Sequence, residues 1–125
     1  MKTDIKSETG LEIAVIGMAC RFPGADSVGE FWQNLLNAKE SISYFSKELM
    51  IKKGTNKRLF EADAYINAAG ILNHIDQFDA GFFGYTPREA ELMDPQIRIY
   101  LELCWFALES AGYNPFKCDQ SIGLF

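Results

Sequence analysis

Nucleophilic or metal chemistry in this 125-residue chain has three cysteines and one histidine to draw on. Cys20 follows an apolar run in Gly17-Met18-Ala19-Cys20-Arg21, a strand–loop junction of the kind that can present a nucleophile. A thiol becomes an effective nucleophile when a nearby base or cation favours its thiolate. His74 is the sole imidazole, and it lies in a polar stretch, Asn73-His74-Ile75-Asp76. Cys20 is therefore read as structural. Cys104 falls on an apolar helix, where a thiol behaves as a small hydrophobe. Cys118 sits in a polar loop without a partner in sequence. No CxxC pair exists, so neither a zinc site nor a disulfide framework can be written.

Carboxylates invite a general acid–base reading at two places. Asp76 and Asp79 flank Phe78, and Glu89 and Glu91 follow Pro87. Each has a structural explanation. Asp76 and Asp79 suit a loop with side-chain-to-backbone hydrogen bonds. Glu89 completes the capping box Thr86-Pro87-Arg88-Glu89. Gly17 to Gly24 lacks G-x-G-x-x-G, which removes a dinucleotide site. Lys52, Lys53, Lys57 and Arg58 surround Gly54-Thr55-Asn56, but a phosphate loop needs a preceding strand and a different glycine spacing. That stretch reads as a solvated loop. Phe78, Phe82, Phe83 and Tyr85 read as rings that anchor a loop on a core.

The elements that must position these residues are legible in places. Residues 1–10 are polar and aperiodic, and read as a tail or linker. Ile13-Ala14-Val15-Ile16 is a continuous apolar run, as expected of a strand covered on both faces. Ser27-Val28-Gly29-Glu30 forms a capping box ahead of a helix to about Ala38, with Val28, Phe31, Trp32, Leu35 and Leu36 at helical spacing. Residues 39–64 carry no clear period. Thr86 opens a short helix. Asp94-Pro95 restarts the chain into a helix from Pro95 to about Ala111, with Gly112 as a left-handed cap.

That last helix is apolar nearly all round. Its charged residues, Arg98, Glu102 and Glu109, fall within a sector of roughly 40°. Such a helix is expected inside a larger protein, with Arg98 and Glu102 pairing along its one wet edge. Ser121 to Phe125 reads as a second strand in which the chain stops. These features lead to the expectation of a piece of a larger domain.

Composition narrows the function classes. Hydrophobic residues make up 48% and charged ones 23%, with ten phenylalanines, which excludes a disordered chain. The formal net charge of −5 argues against nucleic acid. No apolar run reaches the roughly eighteen residues of a membrane span, and no secretory signal follows Met1. The cysteine usage fits a cytosolic protein.

The chain resembles the β-ketoacyl synthase domains of bacterial modular polyketide synthases from about residue 11 to the end. Glu12-Ile13-Ala14-Val15-Ile16-Gly17-Met18-Ala19-Cys20-Arg21-Phe22-Pro23-Gly24-Ala25 is similar to their opening strand, and Phe31-Trp32-Gln33-Asn34-Leu35 to their first helix. Phe78-Asp79-Ala80, Phe82-Phe83-Gly84, Pro87-Arg88-Glu89-Ala90, Met93-Asp94-Pro95-Gln96 and Arg98 follow the family in order and spacing. Glu102, Trp105, Ala107, Leu108, Glu109, Ala111 and Gly112 continue the match, and Ile122-Gly123-Leu124-Phe125 resembles the next strand. Ile97 departs from the usual polar residue or histidine, and residues 46–64 match poorly.

The resemblance implies an α/β protein of thiolase-like, layered α/β/α/β/α fold, here the N-terminal part of its first half. It implies a homodimeric parent that condenses an acyl thioester with a malonyl-type extender by decarboxylative Claisen chemistry. The phosphopantetheine arm of acyl carrier protein carries the substrate, and no cofactor binds directly. No residue maps onto the family's catalytic cysteine or its two histidines, so no catalytic, cofactor-binding or metal residue is assigned. Residues 76–98 are expected as scaffold beside the missing site. The expected partners are the remainder of the domain and acyl carrier protein. Two rival classes stand beside this reading. One is a non-catalytic interaction module that pairs with a complementary fragment or a carrier protein. The other is a self-contained enzyme using Cys20.

Overall fold

The computed structural model of the chain describes residues 9–62 and 64–123. In chain order the elements are α1 (Val28–Leu36), β1 (Ile42–Tyr44), α2 (Lys47–Lys52), a 3₁₀ turn (Lys57–Glu61), β2 (Ala68–Gly70), α3 (Pro87–Leu92) and α4 (Pro95–Ser110).

Helix starts follow the cap residues closely. The Ser27 hydroxyl accepts from the Glu30 amide at 3.2 Å. The Glu30 carboxylate, however, takes the amide of Asp26 at 2.8 Å, so the expected box closes one residue early. The reason lies in the preceding turn, where Phe22 and Ala25 exchange backbone hydrogen bonds of 2.8 and 2.9 Å and leave the Asp26 amide free for it. At α3 the box is complete. Thr86 accepts from the Glu89 amide, and Glu89 accepts from the Thr86 amide and hydroxyl at 2.8 and 2.7 Å. Asp94 caps α4 through the Gln96 amide at 2.8 Å, behind Pro95 at the first helical position. α4 ends as expected, with Gly112 at φ +76°.

The stretch without a legible period, residues 39–64, supplies one strand of a hairpin, and the second strand follows it. β1 and β2 pair antiparallel, Ile42 to Gly70, Ser43 to Ala69 and Tyr44 to Ala68. A Cβ on Gly70 would come within 2.7 Å of the Pro23 ring, so the hairpin lies close on the loop before α1.

Two expected strands are absent among the described residues. Ile13–Ile16 is irregular and unpaired, with Ile13 93% and Val15 80% exposed. Ser121–Gly123 is also irregular, and Leu124 and Phe125 lie outside the described residues. A strand exists by hydrogen bonding to a neighbour, and none of the described residues offers one here.

The N-terminal segment nonetheless packs on α4. At Gly17 an added Cβ would collide with the Ala107 carbonyl oxygen and lie 2.7 Å from the Ala111 amide nitrogen. Four residues on, Arg21 reaches Glu102, so the segment runs against the direction of the helix. Rings fasten the other side. Phe82 meets Trp105 edge-on at 4.7 Å, and Trp105 meets Phe116 at 5.5 Å. Even so, Ala25 and Ala90 are the only apolar side chains counted as buried among the described residues, and no large one is fully enclosed.

The expectation for the sides of α4 holds only in part. Arg98 and Glu102 do not pair with each other. Glu102 turns to Arg21, and the Arg98 Nε is buried without a hydrogen-bond partner. Arg98 and Glu102 are half-covered and Glu109 is exposed, while Ile97, Tyr100 and Phe106 also face solvent and the other apolar side chains from Ile99 to Leu108 are half-covered.

The hydrogen bonds from Thr86 hold the Glu89 carboxyl below the ordinary glutamate range. A depressed carboxylate pKa stabilises the fold above its unfolded value, and that stabilisation is lost as pH falls through the folded value. A carbon-detected NMR titration should place the Glu89 midpoint below that of an unstructured glutamate, and Thr86→Ala should raise it. A wild-type midpoint at the unstructured value would show that the box does not form.

Candidate functional site

The residues best suited to chemistry are kept apart. Cys20 lines a cavity of about 410 Å³ with Met18, Val28, Leu103 and Phe106, and with Asp26 and Ser27 as its polar members. His74 is elsewhere, in a turn with φ +55° whose carbonyl accepts from Gln77, and it does not line that cavity. No hydrogen bond among the described residues reaches the Cys20 sulfur.

Cys104 lies on α4, one turn from Tyr100, whose hydroxyl it pushes above the ordinary phenol range. Cys118 is half-buried and directs its thiol at the Gln120 carbonyl at 3.8 Å. No group of three or more His, Cys, Asp or Glu side chains is placed to hold a metal among the described residues.

Three of the four paired carboxylates, Asp79, Glu89 and Glu91, are taken up by local contacts. Asp79 accepts from the Phe82 amide at 2.9 Å and folds the aromatic loop, as its type and position predict. Asp76 makes no such bond among the described residues. Glu91 takes the exposed Arg88 at 3.1 Å, and Glu89 is absorbed by the cap. The rings of Phe78 and Phe83 stack at 5.1 Å, and Phe83 abuts Phe82 at 5.0 Å. The cluster therefore anchors residues 78–85 on α4 through Trp105.

The one ionic constellation that joins distant segments among the described residues is Arg21 with Asp26 and Glu102. Arg21 lies 3.6 Å from Asp26 and 3.1 Å from Glu102, and the Arg21 and Glu102 side chains keep only about a fifth of their exposure. Sequence reasoning assigned Glu102 to Arg98, because i, i+4 spacing is visible in sequence and an 81-residue separation is not. The arrangement ties the N-terminal segment to α4 and offers no free base, acid or nucleophile.

The comparisons with known proteins decide what such a scaffold belongs to. Residues 11–125 match the family described as β-ketoacyl synthase, N-terminal domain. This chain belongs to the β-ketoacyl synthase family.

The match lies in its N-terminal domain. The chain is 47% identical over 113 residues to a phenolphthiocerol/phthiocerol polyketide synthase of Mycobacterium tuberculosis, a match that covers 90% of this chain and 8% of that protein. It is 42% identical over 124 residues to an erythronolide synthase of Saccharopolyspora erythraea, covering 98% of this chain and 4% of the relative. Among solved structures, the module 1 ketosynthase of the bacillaene synthase from Bacillus amyloliquefaciens is 45% identical with a TM-score of 0.64, over 80% of this chain and 17% of that one. The module 6 ketosynthase from Bacillus subtilis gives 39% and 0.66, over 81% and 17%. The chain thus spans about a sixth of these solved ketosynthases. Its fold is the N-terminal part of their thiolase-like architecture.

The Arg21–Glu102 bond predicts a local coupling. Arg21→Ala should speed amide exchange over residues 17–22 about fivefold, equivalent to roughly 1 kcal/mol. Glu102→Ala should do the same, and the double variant should add little to either. Additive effects would show that the two side chains act independently.

Proposed function

We propose that this chain is the N-terminal portion of a polyketide synthase ketosynthase and supplies scaffold, not catalytic groups. In the parent, a cysteine thiolate attacks the acyl thioester on a carrier-protein phosphopantetheine arm, and the carrier thiol leaves. The malonyl-type extender then loses carbon dioxide. Its enolate carbon attacks the cysteine-bound acyl group, and the thiolate departs as the new carbon–carbon bond forms. Two histidines assist the second stage. The cysteine and both histidines come from the remainder of the domain, and the working parent is a homodimer served by acyl carrier protein.

The observation that carries this reading is the family match across residues 11–125, together with 45% identity to a ketosynthase of a polyketide assembly line. The geometry agrees with it. The carboxylate in the Cys20 cavity, Asp26, is paired with Arg21, and His74 does not line that cavity. The apolar residues left open along 11–16 and on α4 are surfaces of the kind that further chain buries. Closing them would contribute roughly 25 cal/mol for each Å² of apolar area covered.

The test is a domain chimera. Residues 11–125 should replace the equivalent segment of the bacillaene module 1 ketosynthase and leave condensation of an acyl thioester with malonyl carrier protein within about tenfold of the parent, or roughly 1.4 kcal/mol. The 125-residue chain alone should show no condensation. A folded, dimeric chimera without activity would overturn the assignment of this segment as ketosynthase scaffold. Condensation by the isolated chain would overturn the claim that the catalytic groups lie elsewhere.

A further inference from the structure

Charge is unevenly spread along this acidic chain. Residues 47–61 hold five cations, Lys47, Lys52, Lys53, Lys57 and Arg58, against two carboxylates, Glu48 and Glu61, while the chain as a whole carries −5. All five cations are exposed, and none forms an ion pair among the described residues, where every bridge uses Arg21 or Arg88.

This run borders an apolar groove of about 530 Å³ between α2 and β2. Leu49, Met50 and Lys53 form one wall, and Tyr65, Ile66 and Ala68 line the other. The Phe60 ring meets Tyr65 edge-on at 5.3 Å, which holds the basic 3₁₀ turn beside the groove. Ile66 is 73% exposed at the opening.

From this juxtaposition we infer that the groove between α2 and β2 is a docking surface for an acidic, amphipathic helical segment of a partner protein. A volume of this size takes two or three apolar side chains of such a helix, while its carboxylates meet the cationic rim. Charge complementarity selects this occupant. A bare polyanion has nothing to place in the apolar groove, and a single fatty carboxylate leaves most of the cations unmatched. Rim charges of this kind mainly accelerate encounter and set partner choice, with strong salt dependence. The inference does not rest on the ketosynthase chemistry proposed above.

The test uses the full 125-residue chain and a fluorescein-labelled helical peptide with glutamates on one face and leucines on the other. A second peptide carries lysine at every glutamate. Anisotropy titrations at about 50 mM salt should give the acidic peptide at least tenfold tighter binding than its lysine counterpart, weakening several-fold at about 300 mM. Combined Lys52→Gln, Lys53→Gln, Lys57→Gln and Arg58→Gln should lose about tenfold. Ile66→Ser should also weaken binding, and Ile13→Ser, outside the groove, should not. These substitutions are at exposed side chains, and circular dichroism should show unchanged helix. Equal binding of the two peptides, or unchanged binding after neutralisation, would overturn the inference. So would a loss with Ile13→Ser as large as with Ile66→Ser. Heparin competing fully while Ile66→Ser has no effect would assign the patch to polyanions instead and overturn it as well.

Discussion

The crossing of the N-terminal segment over α4 is the contact on which the rest of the structure depends. It has two parts of different physical character. At Gly17 the backbone comes so near the last turns of the helix that no side chain fits between them. Four residues further, Arg21 meets Glu102 in a half-covered site, where a charge pair is screened less than at the open surface. Close approach without a specific bond leaves the segment free to slide along the helix. An ion pair without close approach leaves it free to swing away. Together they fix both distance and register between residues that are 81 positions apart in the chain.

α4 is therefore a platform, and its sides carry unequal loads. Trp105 receives Phe82 from the loop before α3 and Phe116 from the segment after α4, so three stretches of chain converge on one helix. Ile97, Tyr100 and Phe106 are open and no apolar side chain of α4 is fully buried, unlike a helix in a finished core. In the solved ketosynthases of similar fold, this region makes up 17% of the domain. A helix that is apolar nearly all round suits such a setting, because it has surfaces to satisfy beyond those its own neighbours reach.

Local signals were legible in the sequence because they act over three or four residues. Thr86 with Glu89, Asp94 before Pro95, and Gly112 after α4 each behave as their chemistry dictates. The Asp79 turn was equally readable, because its hydrogen bond from the Phe82 amide spans three residues. Long-range features were not. The partner of Glu102 is invisible to any rule based on helical spacing. The strand expected at Ile13–Ile16 was read from apolarity alone, and apolarity reports a preference for cover without supplying the hydrogen-bonding neighbour a strand requires. The hairpin was missed for the opposite reason. Its strands have three residues each, too few to establish a period, and Ala and Gly provide little pattern.

That hairpin also closes a loop. The Phe45 amide donates to the Asn67 carbonyl at 2.8 Å, continuing the ladder one step beyond the strands, and Gly70 sits against Pro23 at the base. The ends of the intervening excursion, residues 46–66, are thus brought together and tied to the scaffold independently of what lies between them. The closure entropy of such a loop grows only with the logarithm of its length. The excursion is thus tethered at both ends, and lengthening it would cost the fold little more than this slowly growing term.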